Sequence, residues 1–269
     1  MKDFSSGNAV ITGGASGIGL GLAHKLAQEG MTIILIDIEQ SALESAVGEL
    51  LSKGYTAHGR MCDVSDRDQV EELAEGIFEE FGAVHFLANN AGVVTRHNAW
   101  ESLEDWDWVL GVDLMGVIYG VHSFVPRMLA SGEQGHVMNT ASTAGLLAFP
   151  TIGSYNVAKR GVVALTETLH HELKGTPIST SVLCPGMVDT NIHSSERNRE
   201  GSSGPSEMAN AGVGNKEELS PAMVADIVVE SIQNGLFWIL PHAHYGEQAL
   251  EQAKRRVDGG PPVLPFVDR

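Results

Sequence analysis

The sequence predicts an α/β fold with a doubly wound parallel sheet and helices on both of its faces. Short apolar stretches alternate with longer amphipathic ones along the chain. Residues 31–36 are apolar at all but one position, which is typical of a parallel strand that is buried on both faces. Glycines cluster where the first apolar stretch passes into the first amphipathic one. Repeated strand–helix–strand units imply right-handed crossovers, and these produce one parallel, Rossmann-type sheet.

The elements follow from the spacing of apolar residues. The predicted strands are 8–12, 31–36, 55–62, 84–88, 136–140, 178–183 and 236–240. The predicted helices are 17–29, 41–52, 66–81, about 103–129 with a break near 111–116, 154–173, 222–233 and about 245–257. Ser65 is a good N-cap for the third helix and Gly82 a good stop, while Pro221 suits the first turn of the helix that follows it.

The whole chain, residues 1–269, is predicted to form a single domain. Its length is ordinary for one α/β unit, and 43% hydrophobic residues are enough for a sizeable core. Residues 191–220 are rich in Ser, Asn, Gly and Glu without periodicity, so we expect a mobile loop there, beside the substrate. The two cysteines, Cys62 and Cys184, lie in or beside apolar strands and are expected to be buried free thiols rather than a disulfide.

The net charge argues against several classes of partner. It is −17, from 34 acidic and 17 basic residues. Such a surface repels phosphate backbones and anionic lipids, so we expect neither a nucleic-acid nor a membrane partner. The N-terminus has no apolar segment typical of a signal peptide, and no apolar run approaches the ~18 residues of a transmembrane helix. We therefore expect a soluble, cytoplasmic protein.

A glycine-rich turn follows the first strand and opens the first helix. It contains Gly13, Gly17 and Gly19, with Ser16 and Ile18 between them. Such a turn brings the backbone close to a pyrophosphate, and the N-terminus of the helix then meets the negative charge. Asp37 ends the second strand, where a carboxylate accepts hydrogen bonds from the adenosine ribose. No basic neighbour in sequence would receive a 2′-phosphate, which favours NAD as the cofactor over NADP.

Tyr155 and Lys159 stand four residues apart on a predicted helix and therefore share one face. A free tyrosine has a pKa of about 10, too high for a base near neutral pH. A nearby cation stabilises the phenolate and lowers that pKa. Alone, this spacing is common on helix surfaces, and its significance depends on the motifs around it.

Those motifs resemble the compact branch of the short-chain dehydrogenase/reductase family over nearly the whole chain. The spacing Gly13-x-x-x-Gly17-x-Gly19 resembles that branch rather than the extended, epimerase-like one. Asp63-Val64 resembles the family's adenine contact, and Asn89-Asn90-Ala91-Gly92 its strand-four signature. Ser142 stands where the family has its catalytic serine. Residues 185–190 resemble the segment that holds the nicotinamide carboxamide.

The resemblance implies the site residues. Tyr155 would be the acid/base, Ser142 would hydrogen-bond the substrate oxygen, and Lys159 would hold the nicotinamide ribose and lower the tyrosine pKa. The implied cofactor contacts are Gly13, Ser16, Gly17, Ile18, Gly19, Asp37, Asp63, Val64, Asn89, Ala91, Gly92, Tyr155, Lys159, Pro185, Gly186, Val188 and Thr190. The expected substrate contacts are Val94, Ser142, Ala144, Leu147, Tyr155 and Met187, and they suggest a largely apolar pocket. We expect no metal site.

One residue departs from the family pattern. The family usually has an asparagine in a Val-Asn-Leu-x-Gly setting of its long fourth helix, where it helps to place a water linked to the lysine. This chain has Asp113 there. An aspartate accepts hydrogen bonds but cannot donate as an amide does, and its charge would lie near Lys159. Asp113 is kept as a fourth candidate member of the catalytic group.

The expected function is therefore hydride transfer between NAD(H) and a secondary alcohol or its ketone, with a hydrophobic small-molecule substrate. The main alternative is a non-catalytic dinucleotide-binding sensor or assembly protein of the same fold. The intact Ser142, Tyr155 and Lys159 argue against it. A same-fold enzyme for epimerisation or dehydration is a third reading, and the short region after strand six argues against that one. The helices 103–129 and 154–173 carry more apolar positions than one core face needs, and family members commonly pair through these helices. We therefore expect a homo-oligomer, namely a tetramer.

Overall fold

The computed structural model describes residues 3–199 and 218–265. Within them, seven strands form one parallel sheet in the order β3-β2-β1-β4-β5-β6-β7. The strands are β1 Asn8–Thr12, β2 Thr32–Asp37, β3 Ala57–Met61, β4 Phe86–Asn89, β5 Gly135–Thr140, β6 Ile178–Leu183 and β7 Trp238–Ile239. The order reverses between β1 and β4. The predicted fold class is thus confirmed, and the reversal marks the crevice where this kind of sheet binds ligands.

The helices cover both faces of the sheet. They are α1 Gly17–Glu29, α2 Gln40–Ser52, α3 Arg67–Phe81, α4 Leu103–Leu110, α5 Gly116–Ser131, α6 Gly153–Glu172, α7 Pro221–Gln233 and α8 Ala243–Val257. Side chains on β1 alternate between two cores. Ala9 and Ile11 pack with α1, α2 and α7, whereas Val10 packs with α3, α5 and α6.

Several predicted element boundaries are corrected by one or two residues, and one cap is wrong. Asp66, not Ser65, caps α3, because its carboxylate accepts hydrogen bonds from the Asp68 and Gln69 amides at 2.9 and 3.1 Å. The Ser65 hydroxyl instead donates to Asp63 at 2.7 Å. Gly82 ends the helix as predicted.

The predicted break in the long helix is a π-helical turn. Residues Gly111–Met115 form this turn, and the chain continues without interruption from α4 into α5. By length and composition Leu103–Ser131 would also suffice to cross a membrane. The helix packs against α3 and α6, as the core helix of a globular domain does.

The predicted loop at 191–220 is only partly described. Residues Asn191–Asn198 form two short 3-10 turns with a kink at Ser194, here called the 3-10 helix, rather than an irregular segment. The rest of the loop falls largely at 200–217, outside the described residues. Both cysteines are free and buried, as expected.

Candidate active site

A cavity of about 1260 Å³ opens across the carboxyl ends of the strands. The turns and loops that follow β1 to β6 form its walls, together with the 3-10 helix and the start of α8. Most of the predicted site residues line it. They are Gly13, Ser16, Gly17, Ile18, Asp37, Asp63, Val64, Ala91, Gly92, Val94, Ser142, Ala144, Tyr155, Lys159, Pro185, Gly186, Met187, Val188 and Thr190.

Four predicted residues lie outside the cavity wall. Asn89 is buried and donates to Asn139 at 2.8 Å, so it ties β4 to β5, while its neighbour Asn90 lines the cavity. Leu147 is buried beside the cavity instead of facing it. Asp113 lies behind Lys159, and Gly19 lies beneath the glycine turn.

The glycine turn has no room for side chains. Gly13 has φ +61°, and a Cβ there would lie 2.9 Å from the Ala91 Cα. A Cβ at Gly19 would lie 2.1 Å from the Gly13 carbonyl oxygen. The Ser16 side chain makes no capping hydrogen bond at the start of α1. The turn therefore presents bare backbone and a helix N-terminus to the cavity, which is the arrangement that suits a pyrophosphate.

The carboxylate at the end of β2 faces that turn. Asp37 accepts hydrogen bonds from the Ala15 amide at 3.0 Å and from the Glu39 amide at 3.1 Å. Its position fits recognition of a ribose by its hydroxyl groups. The fold also brings to the loop after β2 a cationic side chain that the local sequence does not reveal. Arg197, from the 3-10 helix, pairs with Glu39 at 2.5 Å.

Ser142, Tyr155 and Lys159 meet on the far side of the cavity from Asp37. Ser142 follows β5; its hydroxyl accepts from the Ala144 amide at 3.1 Å and donates to the Pro185 carbonyl at 3.4 Å. Tyr155 and Lys159 lie one turn apart on α6, with the lysine Nζ 5.4 Å from the centre of the tyrosine ring. Lys159 also donates to the Thr140 carbonyl at 3.1 Å. The Tyr155 phenol, which can exchange a proton, thus stands beside the Ser142 hydroxyl and the Lys159 ammonium, which can stabilise negative charge.

Asp113 forms a buried ion pair with that cation. Its Oδ2 lies 3.0 Å from the Lys159 Nζ, and its Oδ1 accepts from the Val93 amide at 2.8 Å. The two side chains are 0% and 2% exposed. Burial raises the pKa of Asp113, against the opposing effects of Lys159 and the Val93 amide. Burial acts to lower the pKa of Lys159, but the Asp113 carboxylate and Tyr155 outweigh it and raise the pKa.

This ion pair changes the expected acidity of Tyr155. Burial raises the pKa of the phenol, and the charge of Asp113 raises it further. Lys159 and a hydrogen bond with Ser142 lower it, but by less. Lys159 thus acts on the phenol in the expected direction, but the net pKa of Tyr155 is raised rather than lowered. Burial also raises the pKa of the nearby Cys184 thiol to about 12, which makes it a poor nucleophile.

The start of α8 supplies residues that the sequence patterns did not indicate. His242 is buried, and its Nδ1 accepts a hydrogen bond from the Gly186 amide at 3.1 Å. Tyr245 lines the cavity and meets Phe149 edge to face, with ring centres 6.4 Å apart. No short sequence motif links α8 to residues 185–187. In the structure the two segments are in close contact, since a Cβ at Gly186 would lie 2.7 Å from the Tyr245 ring.

The arrangement fits a dinucleotide cofactor. The carboxylate at the end of β2, the bare glycine turn after β1 and the proton-transferring group beyond β5 line one cavity. This is the order in which a dinucleotide presents its adenosine ribose, its pyrophosphate and its reactive nicotinamide ring. Among residues 3–199 and 218–265, no group of three or more His, Cys, Asp or Glu side chains is placed to hold a metal ion. Fold and site together define a dinucleotide-binding oxidoreductase.

Comparison with known proteins gives the family. Residues 7–201 match the family model described as short chain dehydrogenase. A C alpha-dehydrogenase from Sphingobium sp. is 33% identical over 98% of this chain and 89% of its own. A cyclohexanol dehydrogenase from Acinetobacter sp. is 35% identical over 70% of this chain and 75% of its own. A short chain dehydrogenase/reductase from Burkholderia phymatum, solved in complex with NAD, superposes with a TM-score of 0.92 at 38% identity over 100% of both chains. The chain belongs to the short-chain dehydrogenase/reductase family.

Proposed function

We propose that the protein is an NAD(H)-dependent dehydrogenase that interconverts a secondary alcohol and its ketone. The observation that carries this proposal is the meeting of Ser142, Tyr155 and Lys159 in the cavity that also contains the glycine turn. The Acinetobacter relative, a cyclohexanol dehydrogenase, and the NAD complex of the Burkholderia protein support it. When bound, the nicotinamide supplies the hydride acceptor or donor.

The residues of this chain then transfer the proton to and from the substrate oxygen. In oxidation the Tyr155 oxygen takes the proton of the substrate hydroxyl, and in reduction it returns it to the carbonyl oxygen. Ser142 hydrogen-bonds the same substrate oxygen and stabilises the charge that develops there. Lys159, held in place by Asp113 and the Thr140 carbonyl, stabilises the phenolate and is placed to bind the nicotinamide ribose.

The cofactor and substrate classes follow from the lining of the cavity. Asp37 favours NAD over NADP, because a carboxylate accepts from ribose hydroxyls and repels a 2′-phosphate. Val94, Ala144, Met187 and Phe149 give the substrate end an apolar wall, which suits a hydrophobic alcohol. The cytoplasm, where free thiols and NAD(H) are both maintained, is the proposed location.

A panel of aliphatic, alicyclic, aryl and steroid alcohols, assayed with NAD and with NADP, tests this function. We expect turnover with NAD to exceed that with NADP by at least ~10-fold, and Tyr155→Phe to bind NADH while losing ~10²-fold or more in turnover. Tyr155→Phe turning over its best alcohol at near the wild-type rate would overturn the mechanism. NADH binding without turnover of any alcohol or ketone would favour the sensor alternative.

We further propose a homotetramer. Leu103 and Leu129 on the long helix and Val157 on α6 are exposed apolar side chains, as expected where helices of two copies pair. Light scattering at micromolar concentration that gives only the 28.7 kDa monomer would refute it.

A further inference from the structure

The C-terminal half of the 3-10 helix Asn191–Asn198 makes contacts on two sides of the cavity. On one side the Ser195 hydroxyl accepts from the Val94 amide at 3.0 Å and donates to the Val94 carbonyl at 3.3 Å. On the other side Arg197 and Asn198 reach Glu39, which lies two residues beyond Asp37. Ser195, Glu39, Arg197 and Asn198 all line the cavity. The helix therefore spans from the loop after β4 to the end of β2.

The pairing at Glu39 uses both carboxylate oxygens. Arg197 donates from its Nε to the Glu39 Oε2 at 3.2 Å and from its Nη2 to the Glu39 Oε1 at 2.5 Å. Asn198 donates to the same Oε1 at 3.1 Å. The other guanidinium nitrogen of Arg197 donates to the carbonyls of Asn191 and Ser194 at 3.2 and 2.9 Å. A two-pronged Arg–carboxylate pair holds the guanidinium in a fixed geometry. Glu39 is the N-cap residue of α2, yet its side chain makes no capping bond, so it is available for this pairing.

The charges at the end of β2 bear on which dinucleotide this end of the cavity can bind. Asp37 and Glu39 contribute two negative charges, and Arg197 contributes one positive charge that Glu39 already engages. A 2′-phosphate there would meet a net negative charge and a guanidinium whose positive charge Glu39 already pairs. The 2′-hydroxyl of NAD carries no charge and needs only an acceptor, which Asp37 supplies.

We propose that Glu39 is a cofactor-selecting residue: by pairing with Arg197, it withholds from a 2′-phosphate the guanidinium that the 3-10 helix brings to the loop after β2. This inference rests on the proposed dinucleotide-dependent function and adds a second determinant to Asp37. It attributes the preference for NAD to a long-range contact, since Glu39 and Arg197 lie 158 positions apart in the chain.

Direct titration of NADH and NADPH into the full-length protein, followed by fluorescence or calorimetry, tests this role without depending on turnover. The variants are Glu39→Gln, Arg197→Met and the double variant. We expect Glu39→Gln to bind NADPH ~10-fold more tightly than the wild type, equivalent to about 1.4 kcal/mol, and to change NADH affinity less than ~3-fold. The double variant should lose the gain, because the released guanidinium is its source. Glu39→Ala, which removes any residual hydrogen bond to Arg197, should behave like Glu39→Gln.

Glu71→Gln is the matched control. It also removes one carboxylate from a part-exposed Arg–Glu pair, with Arg127 at 2.8 Å, but neither residue lines the cavity. It should leave both affinities unchanged, and thermal melting should show each variant to be folded.

The outcomes separate this inference from the proposed function. An NADPH-to-NADH affinity ratio that is unchanged in both Glu39 variants would overturn the selecting role while leaving the proposed function standing. A gain retained in the double variant would also overturn it, since removal of repulsion alone would then explain the change. If the wild-type protein binds neither dinucleotide, the proposed function fails, and the selecting role with it.

Discussion

Replacing Asp113 by asparagine should move the pH profile of alcohol oxidation to lower pH. The substitution keeps the shape of the side chain and an oxygen that can accept from the Val93 amide, but it removes one buried negative charge. That charge raises the pKa of Tyr155, so its loss should lower the pKa. Because oxidation requires the phenolate, kcat/KM should then rise and level off at a lower pH than in the wild type.

The size of the shift follows from two distances. The Lys159 Nζ lies 5.4 Å from the centre of the Tyr155 ring and 3.0 Å from the Asp113 Oδ2. The carboxylate oxygen is therefore no more than roughly 8 Å from the ring centre. Two unit charges at roughly 8 Å interact by about 2 kcal/mol at an effective dielectric constant of about 20. Loss of this interaction favours the phenolate, so kcat/KM should level off at a pH about one unit lower in the variant than in the wild type.

The assay is the pH dependence of kcat/KM with NAD and the best alcohol of the panel, for the wild type and Asp113→Asn in parallel. Both variants remove the counter-charge of the buried Lys159, which costs about 3–5 kcal/mol of stability, so both should melt at a lower temperature than the wild type. Asp113→Leu serves as the comparison, because it also removes the oxygen that accepts from the Val93 amide and should therefore lose rate as well. An active Asp113→Asn variant whose profile coincides with that of the wild type would refute the reasoning, since Asp113 would then carry no charge that Tyr155 experiences.

Two further predictions concern other buried ionisable groups. Lys159→Ala should weaken NADH binding and lower kcat together; titration that gives wild-type NADH affinity would show that the ammonium does not hold the cofactor. Burial lowers the pKa of His136 from 6.5 to about 3, and its ring nitrogens lie 2.8 and 2.7 Å from the hydroxyls of Ser179 and Ser181. A lowered pKa favours the neutral form, so its full contribution to stability is present above about pH 6.5 and is lost as the pH falls from there toward about 3. At pH 5 the loss is about 2 kcal/mol of unfolding free energy. Denaturant unfolding at pH 7.5 and at pH 5 should therefore show a smaller drop in the unfolding free energy for His136→Gln than for the wild type. An equal drop in the two proteins would count against this assignment.

Sequence reasoning worked where one local pattern determines the outcome. Strand β1 and helix α1 were predicted to the residue because apolar periodicity and a glycine turn mark their limits. It failed where two adjacent residues have similar N-cap propensities. Ser65 and Asp66 are both good N-caps, and only the tertiary structure shows that the Ser65 hydroxyl already hydrogen-bonds Asp63. It likewise indicated no structure at Asn191–Asn198, a polar helix that owes its position to tertiary contacts.

The candidate site shows the same division. Residues in short motifs, such as Tyr155 and Lys159, could be placed from spacing on one helix. The Glu39–Arg197 pair could not, because nothing local in either segment specifies a partner 158 positions away. For Asn89 a motif predicts a cofactor contact, and the structure places its side chain in a buried hydrogen bond with Asn139 in the next strand.

Asp113 depends on three parts of the fold that have to be considered together. The π-helical turn Gly111–Met115 widens the long helix locally and carries the carboxylate to a fully buried position. The loop after β4 meets it there with the Val93 amide, and α6 meets it with Lys159. Gly92 leaves the necessary space, since a Cβ at that position would lie 3.3 Å from both the carboxylate and the ammonium. A charge at this depth is tolerated only when its partners are in place. The substitution of aspartate for the family's usual asparagine is therefore accommodated by an internal counter-ion rather than by solvent, and the acidity of Tyr155 is linked to the integrity of all three segments.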